Sequence, residues 1–114
     1  MPHIIIEYSS GIEKQHPIDA LMDLCHQAAK NSGHFTENDI KVRAYPCHQA
    51  LVAGKNLTFV HITLKLLSGR DAVTKKLLTN AILAVIQNTG LVVSSLTVEA
   101  VDIERESYSK VTNF

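Results

Sequence analysis

Pro2 stands directly behind the initiator methionine. A methionine aminopeptidase removes Met1 when a small residue or proline follows, and the product is an N-terminal secondary amine. An ordinary α-amino group has a pKa of about 7.7–8.0, which leaves roughly a tenth of it neutral at pH 7. An apolar pocket or a neighbouring guanidinium disfavours the cation, and lowering the pKa by ~1–2 makes the neutral amine the main species. A neutral, positioned amine is a general base. The competing reading is that Met-Pro is only a tolerated start. Here the proline leads straight into Ile4-Ile5-Ile6, the opening of a buried strand rather than a loose tail.

Arg70 is the second candidate. It follows Gly69 at the end of an apolar alternating run and precedes a helical pattern. A guanidinium beside a helix N-terminus opposes the macrodipole unless an anion arrives. With the free backbone N–H groups it makes a carboxylate clamp. A solvated first-turn arginine is the alternative. Lys41 and Arg43 alternate on one face of a short strand with Tyr45, either as a solvent face or as the wall of a pocket for an acidic substrate. The six histidines form no HxxxH and no Cys/His cluster of zinc spacing, so no metal site is expected, and His61 reads as a satisfied strand residue. No GxxxxGK[ST], GxGxxG or GxSxG occurs, and Cys47 beside His48 is no dyad.

The elements that position these groups repeat. His3-Ile4-Ile5-Ile6 returns as His61-Ile62-Thr63-Leu64, Ser10-Gly11 as Ser68-Gly69, and Asn31-Ser32-Gly33 as Asn88-Thr89-Gly90. Ile40, Val42 and Ala44 return as Leu96, Val98 and Ala100, so the offset hardly drifts across half the chain. Two similar folding units about a pseudo-twofold axis follow, with halves at about 1–46 and 58–104 of a single domain over 1–114. In this alignment Pro2 faces Val60, and Ile12 faces Arg70.

Each half reads as strand, helix, strand. In the first, Pro17 opens a helix whose stripe is Leu21, Met22, Cys25, Ala28 and Ala29, and Ile40–Tyr45 is a strand stopped by Pro46. In the second, Phe59–Leu67 alternates cleanly, and a longer helix carries Val73, Leu77, Ala81 and Val85 beside Leu78, Ile82 and Ile86. Leu96 to Ile103 is the last strand, and Glu104–Phe114 reads as a surface extension. The βαβ order favours parallel pairing within each unit. The expected fold class is α+β: two tandem β-α-β units, a four-stranded mixed sheet and two helices on one face. The other face still carries isoleucines, so a partner chain is needed to cover it.

Composition narrows the class. A chain of 114 residues with 46% hydrophobic and 19% charged residues is ordinary globular usage. Lys plus Arg equals Asp plus Glu, at 11 each, and no basic run is interleaved with aromatics, so a nucleic-acid surface is not expected. Cys25 and Cys47 read as reduced thiols. With no signal-like segment and no apolar run approaching ~20 residues, the expectation is a soluble cytoplasmic protein without a membrane partner.

The carrying segments are Met1-Pro2-His3-Ile4-Ile5-Ile6-Glu7, Ile40-Lys41-Val42-Arg43, Phe59–Lys65 with Ser68-Gly69-Arg70, and the Glu-rich end of the last strand. Together they resemble the tautomerase superfamily, and within it the 5-carboxymethyl-2-hydroxymuconate Δ-isomerase family. The segment from Phe59 to Arg70 is the most specific. The resemblance implies a homotrimer and cofactor-free proton transfer on a small di- or tricarboxylate substrate, in aromatic-acid degradation. It makes Pro2 the base and Arg70 a carboxylate binder, with Arg43 and Lys41 as further substrate-binding residues. The family pattern on the short strand looks like Ile-Arg-x-Arg, and Lys41 replaces its first arginine, keeping the charge without the planar fork. A tautomerase for phenylpyruvate- or 4-oxalocrotonate-like substrates, or a silent trimeric binding protein, are the alternatives.

Overall fold

The computed structural model describes residues 1–114. Its strands are β1 (His3–Ser9), β2 (Lys41–Cys47), β3 (Phe59–Leu67) and β4 (Ser95–Ile103). The helices are a single turn α1 (Ile12–Gln15) and two long ones, α2 (Ile18–Asn31) and α3 (Ala72–Gln87). Spatial order in the sheet is β2-β1-β3-β4. β1 runs parallel to β2 and β3 parallel to β4, while β1 and β3 meet antiparallel at the centre. This is the mixed four-stranded α+β sheet that the repeat implies. Ile5 pairs with Thr63, its own equivalent in the second half, so the pseudo-twofold axis passes between these two residues.

Period-two alternation explains the layers. Ile4, Ile6, Val60, Ile62, Leu64 and Leu66 share one face and are buried. Leu21, Cys25 and Ala29 from α2 and Leu78, Ile82 and Ile86 from α3 complete that core. Of the two apolar rows expected on α3, only the one through Leu78, Ile82 and Ile86 is buried, because the helix turns one face to the sheet. Val73 and Leu77 stay 70% and 63% exposed. No helix is long and apolar enough to cross a membrane.

The far face of the sheet is more polar than its isoleucines imply. His61 lies there, bonded through Nδ1 to Thr97 Oγ1 and through Nε2 to Glu99 Oε2, each at 2.6 Å. Histidine, threonine and glutamate thus satisfy one another across β3 and β4.

Pro46 does not stop its strand. The Lys41 N–H points inward to the Pro2 carbonyl at 3.0 Å, so by alternation the nitrogen of residue 46 points outward from edge strand β2. A missing N–H there removes no bond of the ladder.

Candidate active site

Pro2 lies just ahead of β1, fully buried, with its carbonyl tied to β2 through the Lys41 N–H. The antiparallel register brings the end of β3 alongside, since His3 pairs with Lys65. The chain then leaves β3 through Leu67, Ser68 and Gly69. Gly69 has φ +127°, a conformation that side chains rarely adopt, and a Cβ there would lie 3.7 Å from the Arg105 guanidinium. This turn delivers Arg70 to the side of the sheet where Pro2 sits.

A cleft of about 280 Å³ opens at this point. Its walls include Phe35, Leu67, Arg70, Arg105, Tyr108 and Lys110, with Met1 also in contact. Arg70 donates from Nη2 to the His34 carbonyl at 2.9 Å, and its guanidinium carbon stands 4.8 Å from the centre of the Phe35 ring. No carboxylate of the chain pairs with it, which leaves most of its five N–H donors for a ligand. The expected partnership with a helix N-terminus does not form. α3 begins at Ala72, and Asp71 caps it by accepting the Thr74 N–H at 2.8 Å. A carboxylate already occupies the anion position there, so Arg70 turns toward the loop at His34 and Phe35 instead.

The tail is the main departure from the sequence reading. It is not a free surface extension, because it folds back and builds one wall of the cleft. Arg105 donates twice to the Ser68 carbonyl, from Nη2 at 2.9 Å and Nε at 3.3 Å. Tyr108 reaches His3, and Lys110 pairs with Asp39 at 2.6 Å. Arg105, Tyr108 and Lys110 are therefore cleft-wall residues that the sequence reading passed over. Their signal was a cation, an aromatic and a second cation within six residues of an apparently idle tail.

Lys41 and Arg43 are placed differently from Arg70, and neither forms the cleft wall. Lys41 Nζ donates to the Asp39 carbonyl at 2.8 Å. Arg43 donates from Nη1 to His3 Nδ1 at 3.0 Å. Lys41 still acts on the amino terminus through its charge, whereas the charge of Arg43 acts on His3. Burial, chiefly, holds the amino terminus below its ordinary pKa. Lys41, Lys110 and Arg70 push the same way, and the Asp39 carboxylate opposes them. Met1 is present and buried, so the ring nitrogen of Pro2 is an amide in this form of the chain. Met1 lines the cleft directly ahead of Pro2, together with Arg70, Arg105 and Lys110 against the single carboxylate of Asp39. The cleft can hold more negative charge than the chain itself supplies.

No group of three or more His, Cys, Asp or Glu side chains is arranged to hold a metal. Cys25 is buried within the core, and burial pushes its thiol up to about 12, so it stays protonated.

Among curated proteins none matches the sequence significantly. Solved structures match the fold over nearly the whole chain. A 5-carboxymethyl-2-hydroxymuconate isomerase from Deinococcus radiodurans R1 superposes with a TM-score of 0.83 at 23% identity, covering 98% of this chain and 90% of its own. A 5-carboxymethyl-2-hydroxymuconate delta-isomerase gives 0.80 at 20% identity, with 99% and 89% covered. A protein described as a fused 4-OT wild-type symmetric trimer gives 0.79 at 17% identity, with 98% and 94% covered. The family model for 5-carboxymethyl-2-hydroxymuconate isomerase matches residues 2–112. The chain belongs to the 5-carboxymethyl-2-hydroxymuconate isomerase family, enzymes of the tautomerase superfamily.

Proposed function

We propose that the chain, once Met1 is removed, is a cofactor-independent isomerase for an acidic 2-hydroxymuconate-type dienol, with Pro2 as general base. The observation that carries this reading is the buried Pro2 beside a cleft where three cations face one carboxylate. Desolvation and the cations that act on the Met1 amine would act on the Pro2 amine in the same sense, favouring its neutral form. The neutral nitrogen takes a proton from the dienol and returns it at a remote carbon, giving the conjugated 2-oxo isomer. Arg70 holds a substrate carboxylate, and Lys41 contributes its charge from the neighbouring strand. The excess of cations favours a substrate with more than one carboxylate over a monocarboxylate such as phenylpyruvate. Degradation of aromatic acids in the cytoplasm is the setting that this chemistry suits.

The assembly belongs to the same proposal. β2 and β4 are open edges, and the far sheet face carries Ile5, Val101 and Ile103 among its polar residues. Structural relatives described as symmetric trimers support a homotrimer here. Absolute mass in solution checks it, and a stable monomer at micromolar concentration would exclude it.

The test of the base compares protein with and without Met1, followed by loss of dienol ultraviolet absorbance. Retained Met1 keeps the proline nitrogen an amide without basicity. The two forms are expected to share fold and assembly and to differ in turnover by ~10²-fold or more. Equal turnover would remove Pro2 from the mechanism.

A further inference from the structure

His3 joins Arg43 to the cleft. Arg43 has only donors to offer, so its approach to Nδ1 at 3.0 Å requires a lone pair on that nitrogen. A neutral ring with its lone pair at Nδ1 carries its proton at Nε2. Nε2 lies 3.1 Å from the Tyr108 hydroxyl, so His3 donates and Tyr108 accepts. The proton of Tyr108 is then free, for its hydroxyl has no other partner in the chain. Tyr108 forms part of the cleft wall together with Met1 and Arg70. Burial, first, and the charges of Arg43, Lys41, the amino terminus and Lys65 all oppose a second proton on the His3 ring. The direction of the three-residue chain is thereby fixed from Arg43 outward.

We propose that Tyr108 is a further catalytic residue, donating its hydroxyl proton in a hydrogen bond to the substrate oxygen that gains charge, with His3 and Arg43 as positioning residues behind it. This rests on the proton-transfer reading of the cleft. In that step the O–H bond of the dienol breaks as Pro2 takes the proton, and charge spreads over the oxygen and the remote carbon. A C–H bond forms when the proton returns, and the oxygen becomes a carbonyl. Tyr108 keeps its own proton throughout and only stabilises the intermediate charge. The fixed cation of Arg43 polarises the chain of hydrogen bonds toward the cleft.

The experiment uses the Met1-free protein and 2-hydroxymuconate. Tyr108→Phe is expected to lower kcat by roughly tenfold to a hundredfold while KM stays within about threefold. His3→Asn should lower kcat in the same direction, and the double variant should lose no more than Tyr108→Phe alone. Arg43→Lys should recover part of what Arg43→Met loses. Independently of turnover, nitrogen NMR of His3 at pH 7 should show a neutral ring protonated at Nε2. A ring protonated at Nδ1, additive losses in the double variant, or a Tyr108→Phe kcat within twofold of the parent would each overturn the role of Tyr108 and leave the isomerase reading intact. A parent protein without turnover on any 2-hydroxydienoate would overturn both.

Discussion

The two ends of the sheet are related by the pseudo-twofold, and only one of them opens onto a cleft lined by cations. At that end, Pro2 precedes β1 and the turn Ser68-Gly69 delivers Arg70 into a cleft with Arg105 and Lys110. At the opposite end, Val60 takes the place of Pro2 and Ser10-Gly11 leads to Ile12. Val60 and Ile12 are both buried in the core. A hollow of about 250 Å³ exists there too, between Ser9, Ser10, Cys47, His48, Asn56 and Thr58, but no lysine or arginine lines it. The same backbone turn thus lines a cleft in one half and serves core packing in the other. Side-chain identity at two positions separates them, together with a tail that exists at only one end.

The largest expected effect tests how far the halves remain equivalent as structure. Ile6 and its counterpart Leu64 are both fully buried. Truncation of either to alanine should cost about 2–5 kcal/mol of stability in denaturant unfolding. A large difference between the two would show that one half carries the core.

Converting the Arg70 end toward its pseudo-twofold counterpart comes next. Arg70→Ile is expected to lower kcat/KM by about 1.5–3 kcal/mol, the scale of a charge-assisted hydrogen bond. Substrates lacking the bound carboxylate should lose much less. Equal losses for both classes would assign Arg70 a structural role. Lys41→Ala should show a smaller loss of the same sign, since its side chain stands outside the cleft wall.

The smallest effect is a pH dependence of stability carried by His3. His61 has a carboxylate and a hydroxyl as partners, whereas cations surround His3. The His3 pKa lies below its ordinary value in the folded chain, so between the two values the unfolded chain binds more protons. Its contribution is therefore complete above the unfolded pKa near 6.5 and is lost as pH falls below it. Unfolding free energies at pH 5, 6 and 7 should decline less steeply in His3→Asn than in the parent. Parallel curves would show that His3 does not titrate against these neighbours.

Much of the fold was legible because its determinants are local. Alternation in Phe59–Leu67, the stripe of Leu21, Cys25, Ala28 and Ala29, and the glycine turns each act over a few residues. The internal repeat then gave the pairing of elements, since two similar units pack alike. Pro2 and Arg70 stood out because each has its control in the opposite half, at Val60 and Ile12 respectively. The end of β2 was misjudged because proline breaks a strand only where its N–H is needed, and the edge position of β2 is a property of the whole sheet.

By itself the sequence determined the strand–helix–strand order, the buried faces and the two residues that break the symmetry between the halves. Tertiary structure alone decided the rest of the cleft. Tyr108 meets His3 across 105 positions of chain and Lys110 meets Asp39 across 71. Asp71 fills the helix N-terminus that Arg70 was expected to share. Arg43 faces His3 rather than the cleft because the parallel register of β1 and β2 sets them two pairs apart on one face. Periodicity records which face a side chain is on. Which distant group shares that face depends on register and on where the tail comes to rest, and both are set only when the whole core packs.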